Sequence, residues 1–221
     1  MILLLGSRPS VIHNMRCGTW RRFKWAVNGK EERQAGAITS ISFCATAPHD
    51  FAVTASARIS LFATAATTTG LSRGMGLNKA SFYRKQKQLS RFTDVAYSGM
   101  IRADGKLLVA GGEKPAVRVF DLSSRAVLRT MRGHTRSVHA TQWSGSLTRI
   151  MSGSDDKTAR WWDLPTQRCL SVLSGHTDYV RSVCGGIGGN GNGNSEKMDA
   201  LWATGSYDHT VRVWDMRAQV L

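Results

Sequence analysis

The sequence predicts an all-β fold built as a propeller of about four blades, and three observations predict it. Gly133-His134 and Gly175-His176 lie 42 positions apart. Each pair is followed by a run that closes on an aromatic-Asp dipeptide, Trp162-Asp163 in one unit and Trp214-Asp215 in the next. Between opener and closer, short apolar runs alternate with turn-forming residues, which reads as consecutive antiparallel strands. A unit of about 40–45 residues with these marks is one four-stranded blade, stable only against its neighbours.

Residues 1–35 read as a basic N-terminal segment whose strand pattern is confined to Trp20 to Val27. The repeat region covers 36–221, with blades at approximately 36–90, 91–132, 133–174 and 175–221. In the first, Ile38 to Phe43, Phe51 to Thr54 and Ile59 to Phe62 alternate as strands do. In the second, Leu107 to Gly111 and Ala116 to Phe120 lead to Phe120-Asp121, 42 positions before Trp162-Asp163. The third is the best formed, with strands at Ser137 to Trp143, Arg149 to Ser154, Lys157 to Trp162 and Cys169 to Leu173. Its Asp155-Asp156-Lys157 is a tight turn, because Asp readily bonds its own backbone. The fourth offers Val180 to Cys184, Leu201 to Gly205 and Thr210 to Trp214.

Two intervals exceed the repeat. Phe62 to Phe120 is 58 positions and Trp162 to Trp214 is 52. The excess is assigned to insertions at 64–88 and 185–200, the second a Gly/Asn-rich low-complexity loop. One insertion follows a third strand and the other a first strand. In an up-and-down sheet those turns share one rim.

Composition narrows the function. The net charge is +15. Residues 1–91 carry 14 Lys/Arg against 3 Asp/Glu, and residues 92–221 carry 16 against 12. A basic first half suggests an anionic partner, nucleic acid first and acidic protein second. Cys17, Cys44, Cys169 and Cys184 form no C-x-x-C pair and no zinc spacing with His, so they read as reduced thiols without metal. The apolar Met1 to Leu5 stops at Gly6, shorter than a signal-peptide core or a membrane span. An intracellular, soluble protein is expected.

His134, Ser152, Asp156 and Trp162 recur as His176, Thr204, Asp208 and Trp214. Ser, His and Asp together invite a hydrolase reading. Repetition opposes it, since a nucleophile would not be duplicated and exchanged for Thr. The repeat resembles the WD40 blade, and that resemblance implies a structural tetrad, a buried chain of hydrogen bonds from Trp to hydroxyl to His to Asp. The two earlier blades lack it, and the second has Ala110, Lys114 and Phe120 where Ser152, Asp156 and Trp162 stand. No phosphate loop, carboxylate pair or metal cluster appears, so no catalytic residue, cofactor or metal is expected.

The loop after Gly-His and the Asp turn share a face, which presents Arg136, Ser137, His139 and Asp155 in one blade and Tyr179, Arg181 and Tyr207 in the next. Tyr and Arg are favoured at interface hot spots, so these are candidate protein-binding residues. Two basic-aromatic clusters are candidate RNA contacts: Trp20, Arg21, Arg22 and Lys24 around Phe23, and Arg84, Lys85 and Lys87 near Phe82 and Tyr83.

Several strings go beyond a generic repeat: WRRFK (20–24), APHDFAVTAS (47–56), SRFTDVAYSGMIRADGKLLVAGG (90–112) and ATGSYDHTVRVWDMR (203–217). With them the chain resembles, over roughly 19–217, the U-three small nucleolar RNA-associated protein fifteen family. The resemblance implies a non-enzymatic scaffold of the nucleolar small-subunit processome, hence of the nucleus. It would support pre-ribosomal RNA transcription and processing. Implied partners are other processome proteins and pre-ribosomal RNA or a small nucleolar ribonucleoprotein, with no membrane and no small-molecule substrate. It also implies a seven-bladed ring followed by a helical domain, of which this chain would be a truncated form with open strand edges. A second reading, a WD40 substrate receptor of a cullin-type ubiquitin ligase, rests on Trp214-Asp215-Met216-Arg217, which matches W-D-x-R.

Overall fold

The computed structural model describes residues 25–27, 30–32, 37–44, 51–64, 83–89, 94–187 and 201–219. Four antiparallel sheets follow one another along the chain. The first holds β3 (Ile38–Phe43), β4 (Phe51–Ala55), β5 (Arg58–Thr64) and β6 (Tyr83–Leu89). The second holds β7 (Ala96–Ile101), β8 (Leu107–Gly112), β9 (Ala116–Asp121) and β10 (Val127–Arg132). The third holds β11 (Val138–Trp143), β12 (Arg149–Ser154), β13 (Ala159–Asp163) and β14 (Cys169–Leu173). The fourth holds β15 (Val180–Ile187), β16 (Leu201–Ser206) and β17 (Val211–Asp215), and a 3-10 turn, Met216–Gln219, follows. A hairpin of β1 (Trp25–Val27) and β2 (Lys30–Glu32) precedes them. This is the meander of a propeller with four blades.

Two expectations change. The residues from 64 to 88 are not all loop, because Tyr83–Leu89 pairs with β5 as an outer strand. Its Arg, Lys and Gln content hid it, yet charge is tolerated on an outer strand and discourages edge-to-edge pairing. The loop at 185–200 also begins later, since β15 continues to Ile187 with Gly185 opposite Trp202 and Ile187 opposite Leu201. Trp20, Arg21, Arg22 and Lys24 lie outside the described residues.

Neighbouring sheets pack face to face in chain order. Leu61, Leu89, Ile101, Leu108 and Phe120 fill the first seam. Val119, Met131, Val138, Ile150 and Trp162 fill the second. Met151, Trp161 and Trp202 fill the third, where the two indoles meet edge to face at 4.8 Å. Every residue of β8 is buried, because that strand has a sheet on each side and its apolar run need not alternate. At the ends of the arc the faces open. Phe43 of the first sheet is 64% exposed, and Val211 and Val213 of the fourth are 73% and 64% exposed.

The seams are close enough to exclude a methyl group. A Cβ on Gly111 would lie 2.6 Å from Val138 Cγ1 and 2.7 Å from the Val138 carbonyl of the next sheet. A Cβ on Gly153 would lie 2.8 Å from Val180 Cγ1. Gly205, the same position in the fourth sheet, would meet only the Ser182 hydroxyl of its own sheet, at 2.5 Å. The first seam places its small residue on the other side, since Thr54 holds this position in β4 and a Cβ on the facing Gly99 would come within 2.6 Å of Thr54 Oγ1.

Gly111→Ala and Gly153→Ala should each cost about 1–3 kcal/mol, the usual cost of overpacking. Gly205→Ala should fall within about 0.5 kcal/mol, because an exposed serine can rotate away. Urea denaturation midpoints of the three variants check this. Equal losses at all three positions would mean that strand geometry, not the seam, demands glycine.

Candidate functional site

The structure assembles each repeated set of four. Trp162 Nε1 donates to Ser152 Oγ at 2.8 Å, Ser152 lies 2.7 Å from His134 Nε2, and His134 Nδ1 lies 2.7 Å from Asp156 Oδ2. In the fourth sheet Trp214 donates to Thr204 at 2.8 Å, Thr204 lies 2.8 Å from His176 Nε2, and His176 Nδ1 lies 2.7 Å from Asp208 Oδ2. One proton order satisfies all of it: indole N–H to hydroxyl, hydroxyl to Nε2, and Nδ1–H to carboxylate. Each Asp then accepts from the turn and loop around it. Thr158 and the Thr135 amide donate to Asp156, and Thr210 and the Thr177 amide donate to Asp208.

Burial would raise the Asp156 carboxyl, but the bonds from His134 and Thr158 outweigh it and hold the group well below the usual carboxylate range. Asp208 is lowered likewise, with burial opposed by Thr210 and His176. Ser152 is fully buried and Thr204 nearly so, each enclosed between an indole and an imidazole. No approach to either hydroxyl is open to a substrate.

A second constellation lies on the innermost strands. Near the start of the first strand of each sheet the register shifts at a matching residue, Thr39, Tyr97, His139 and Arg181, where a β-bulge turns the side chain out of the ladder. The last three recur at the 42-position interval. They touch across the seams. Thr39 Oγ1 donates to the Ala96 carbonyl at 3.0 Å, and the Tyr97 ring stacks on His139 at 4.0 Å. Arg181 Nη1 lies 2.6 Å from His139 Nδ1, and His139 Nε2 lies 3.1 Å from Asp155 Oδ2. Arg181 also pairs with Asp155 Oδ1 at 3.2 Å. Its guanidinium carbon sits 4.8 Å from the Tyr207 ring and 5.3 Å from the Tyr179 ring.

Partial burial lowers the His139 pKa. Asp155 opposes that shift and Arg181 adds to it. The row therefore runs from the second sheet to the fourth, closed at one end by two tyrosines around a cation.

The sequence placed His139, Asp155, Tyr179, Arg181 and Tyr207 on one face, and the structure brings these five into contact. Arg136 stands exposed beside them, its carbonyl accepting from Ser154 Oγ at 3.2 Å. Tyr97 was missed. The same 42-position step that links His139 to Arg181 points back to it. Arg84, Lys85 and Lys87 lie on β6, paired with Ala63, Phe62 and Leu61, and not in a loop. Among the described residues no group of three or more His, Cys, Asp and Glu could hold a metal, and no helix is long and apolar enough to cross a membrane.

Comparison with known proteins gives two findings. The WD40 family model, described as WD domain, G-beta repeat, matches residues 125–163 and 167–215. The chain is 39% identical over 200 residues to the U3 small nucleolar RNA-associated protein 15 homolog of Xenopus tropicalis, covering 90% of this chain and 33% of that protein. It is 45% identical over 165 residues to U3 small nucleolar RNA-associated protein 15 of Schizosaccharomyces pombe, covering 74% of this chain and 30% of that protein. The protein of the same name in Saccharomyces cerevisiae is 33% identical over 202 residues, covering 90% of this chain and 34% of the relative. The chain thus spans about a third of the length of the curated relatives it matches.

Breaking a four-member chain should destabilise its blade. Asp156→Ala should cost about 3 kcal/mol, because His134 and Thr158 lose a charged partner inside the protein. Thermal unfolding measures the loss, and an unchanged midpoint would assign the carboxylate no structural role. Acid should act on the same groups. Their folded pKa values lie below the unfolded carboxylate value of about 3.9, so the stability they supply is full above that value and drains as pH falls beneath it. The urea midpoint should hold from pH 7 to 5 and drop below about pH 4. Asp156→Asn with Asp208→Asn should flatten that drop.

Proposed function

Over nine tenths of its length the chain is a homologue of the U3 small nucleolar RNA-associated protein 15 family, and from that premise we propose that it is a nucleolar scaffold of the small-subunit processome. It joins other proteins to pre-ribosomal RNA or its small nucleolar ribonucleoprotein and performs no chemistry of its own. The similarity carries this reading, and the geometry agrees with it. The Ser-His-Asp sets among the described residues are closed inside blades, whereas the bulge row ends on an exposed tyrosine.

Tyr207 is 57% exposed, and Tyr179 and Arg181 flank it. Aromatic and arginine side chains held rigid by one another lose little freedom on docking, which is why they dominate interface energies. That face is the proposed protein contact, with Arg136, His139 and Asp155 completing it. The tetrads are proposed to hold the blades that present it.

The ligase-receptor reading finds no such support. Its defining Arg217 is held by Asp215 of the same blade, with Nη2 to Oδ2 at 2.6 Å. The relatives compared above are named for small nucleolar RNA and not for ubiquitin ligation.

A tagged chain expressed in nucleated cells should co-purify with U3 small nucleolar RNA and small-subunit precursor RNA. Recovery of cullin adaptors without RNA would overturn the reading. Tyr179→Ala with Tyr207→Ala should lower that recovery roughly tenfold or more, the scale of an interface hot spot, while the unfolding midpoint stays near wild type. Undiminished recovery would place the protein contact elsewhere.

A further inference from the structure

The second sheet lacks the tetrad, and at the same rim it builds something else. Lys114 stands where the third and fourth sheets have Asp156 and Asp208. Pro115 stands where they have Lys157 and His209, both left-handed, with φ of 68° and 64°. Proline cannot take that conformation. The turn closes differently, with the Ala116 amide donating to the Lys114 carbonyl at 2.7 Å. Arg118 keeps the place of Arg160 and Arg212 on the third strand.

Between this turn and the outer strand β10 lies a groove of about 350 Å³, lined by Lys114, Pro115, Ala116, Arg118, Thr130 and Arg132. The register shows why these residues meet. Thr130 is opposite Arg118 and Arg132 is opposite Ala116, and cross-strand partners share a face.

Among the described residues that line it, three are cationic and none is acidic. Asp94 lies beside the groove and is already occupied, since Oδ2 accepts the Lys114 amide at 2.9 Å and Oδ1 sits 3.4 Å from Arg118 Nη1. Glu113, the residue before Lys114, is exposed and outside the lining. Replacing a tetrad carboxylate by lysine changes the local charge by two units relative to the third and fourth blades. The volume is at the lower end of the range for sites that take a small ligand, about 300–1,000 Å³. It suits one nucleotide unit, with Pro115 and Ala116 as an apolar floor for a ribose.

We propose that this groove binds the phosphodiester backbone of single-stranded RNA. Arg132 and Lys114 hold the phosphate oxygens from opposite walls, Thr130 donates its hydroxyl, and Arg118, steadied by Asp94, supplies the floor charge. The described lining offers phosphate-binding cations and a hydroxyl, so the contact proposed is to the backbone, which carries no sequence information. The site deepens the proposed function by naming an RNA contact on the described blades, and it rests on that reading.

The test uses the full chain and a fluorescein-labelled twelve-nucleotide RNA, followed by anisotropy between 50 and 200 mM salt. Lys114→Ala with Arg132→Ala should weaken binding about equally for unrelated sequences. It should also reduce the slope of log K against log salt by about 1.4, at about 0.7 for each of two lost contacts. The control, Lys106→Ala with Arg168→Ala, removes the same charge from turns on the opposite rim and should leave the slope within error of wild type. Circular dichroism should show both variants folded, since all four side chains are exposed. An unchanged slope in the groove variant, an equal loss in the control, no binding by wild type, or displacement by polyglutamate as readily as by unlabelled RNA would each overturn the site. If U3 RNA still co-purifies with the chain when the groove variant binds like wild type, the groove alone is wrong and the scaffold reading stands.

Discussion

A blade has two apolar faces, and its own four strands can cover neither. Everything else in this chain follows from that constraint. The middle strands β8 and β12 are buried almost throughout because a sheet lies on either side of each. Glycine recurs at Gly111 and Gly153 because the next blade's first strand comes within the reach of a methyl group. Where the neighbour ends, so does the pressure. Val211 and Val213 on the last described strand face outward, and the glycine beside them confronts only a serine of its own sheet. Large exposed apolar faces are rare on finished surfaces and mark places where another surface belongs.

Within a blade, two solutions to core filling stand side by side. The third and fourth blades join an indole, a hydroxyl, an imidazole and a carboxylate in one hydrogen-bonded chain, with Trp162 fully buried and Trp214 partly so. The second buries Phe120 and Ala110 at the matching positions, both fully. A polar network whose members are all paired and an apolar packing of similar volume differ little in stability, whereas a half-made network is worse than either. That explains why the set is present or absent as a unit. Lys114, Ala110 and Phe120 depart from the pattern together, and losing the carboxylate frees the turn to carry a cation.

The repeat was legible because its marks are chemically rare at fixed spacing. Two Gly-His pairs and two Trp-Asp pairs fix the frame, and eight tetrad residues fall into it. The outer strand β10 and the inner strand β7 went unread although each lies 42 positions before its counterpart, β14 and β11. Val127-Leu128-Arg129-Thr130-Met131-Arg132 has too few apolar positions to signal burial by itself. Tyr83–Leu89 was harder still, with five Lys, Arg and Gln residues in a row. Strands at a sheet's outer edge are governed by solvent and by neighbours distant in sequence, so their composition says little. The bulges were invisible for another reason. A bulge is a property of register between two strands, and one strand's sequence does not contain it.

Register is also what turns the repeat into a surface. In a regular ladder, Tyr97, His139 and Arg181 would alternate into the seams, where an arginine and a histidine would have to be desolvated. The extra residue at each bulge rotates them to the rim instead, where they stack on one another across blades. The rim they occupy is that of the turns between second and third strands, which also carries Asp155, Tyr207 and Lys114. Both long insertions leave from the other rim, after a third strand in one blade and a first strand in another. The direction in which successive strands run thus puts the bulge residues, Asp155, Tyr207 and Lys114 on one rim and the points where the insertions depart on the other.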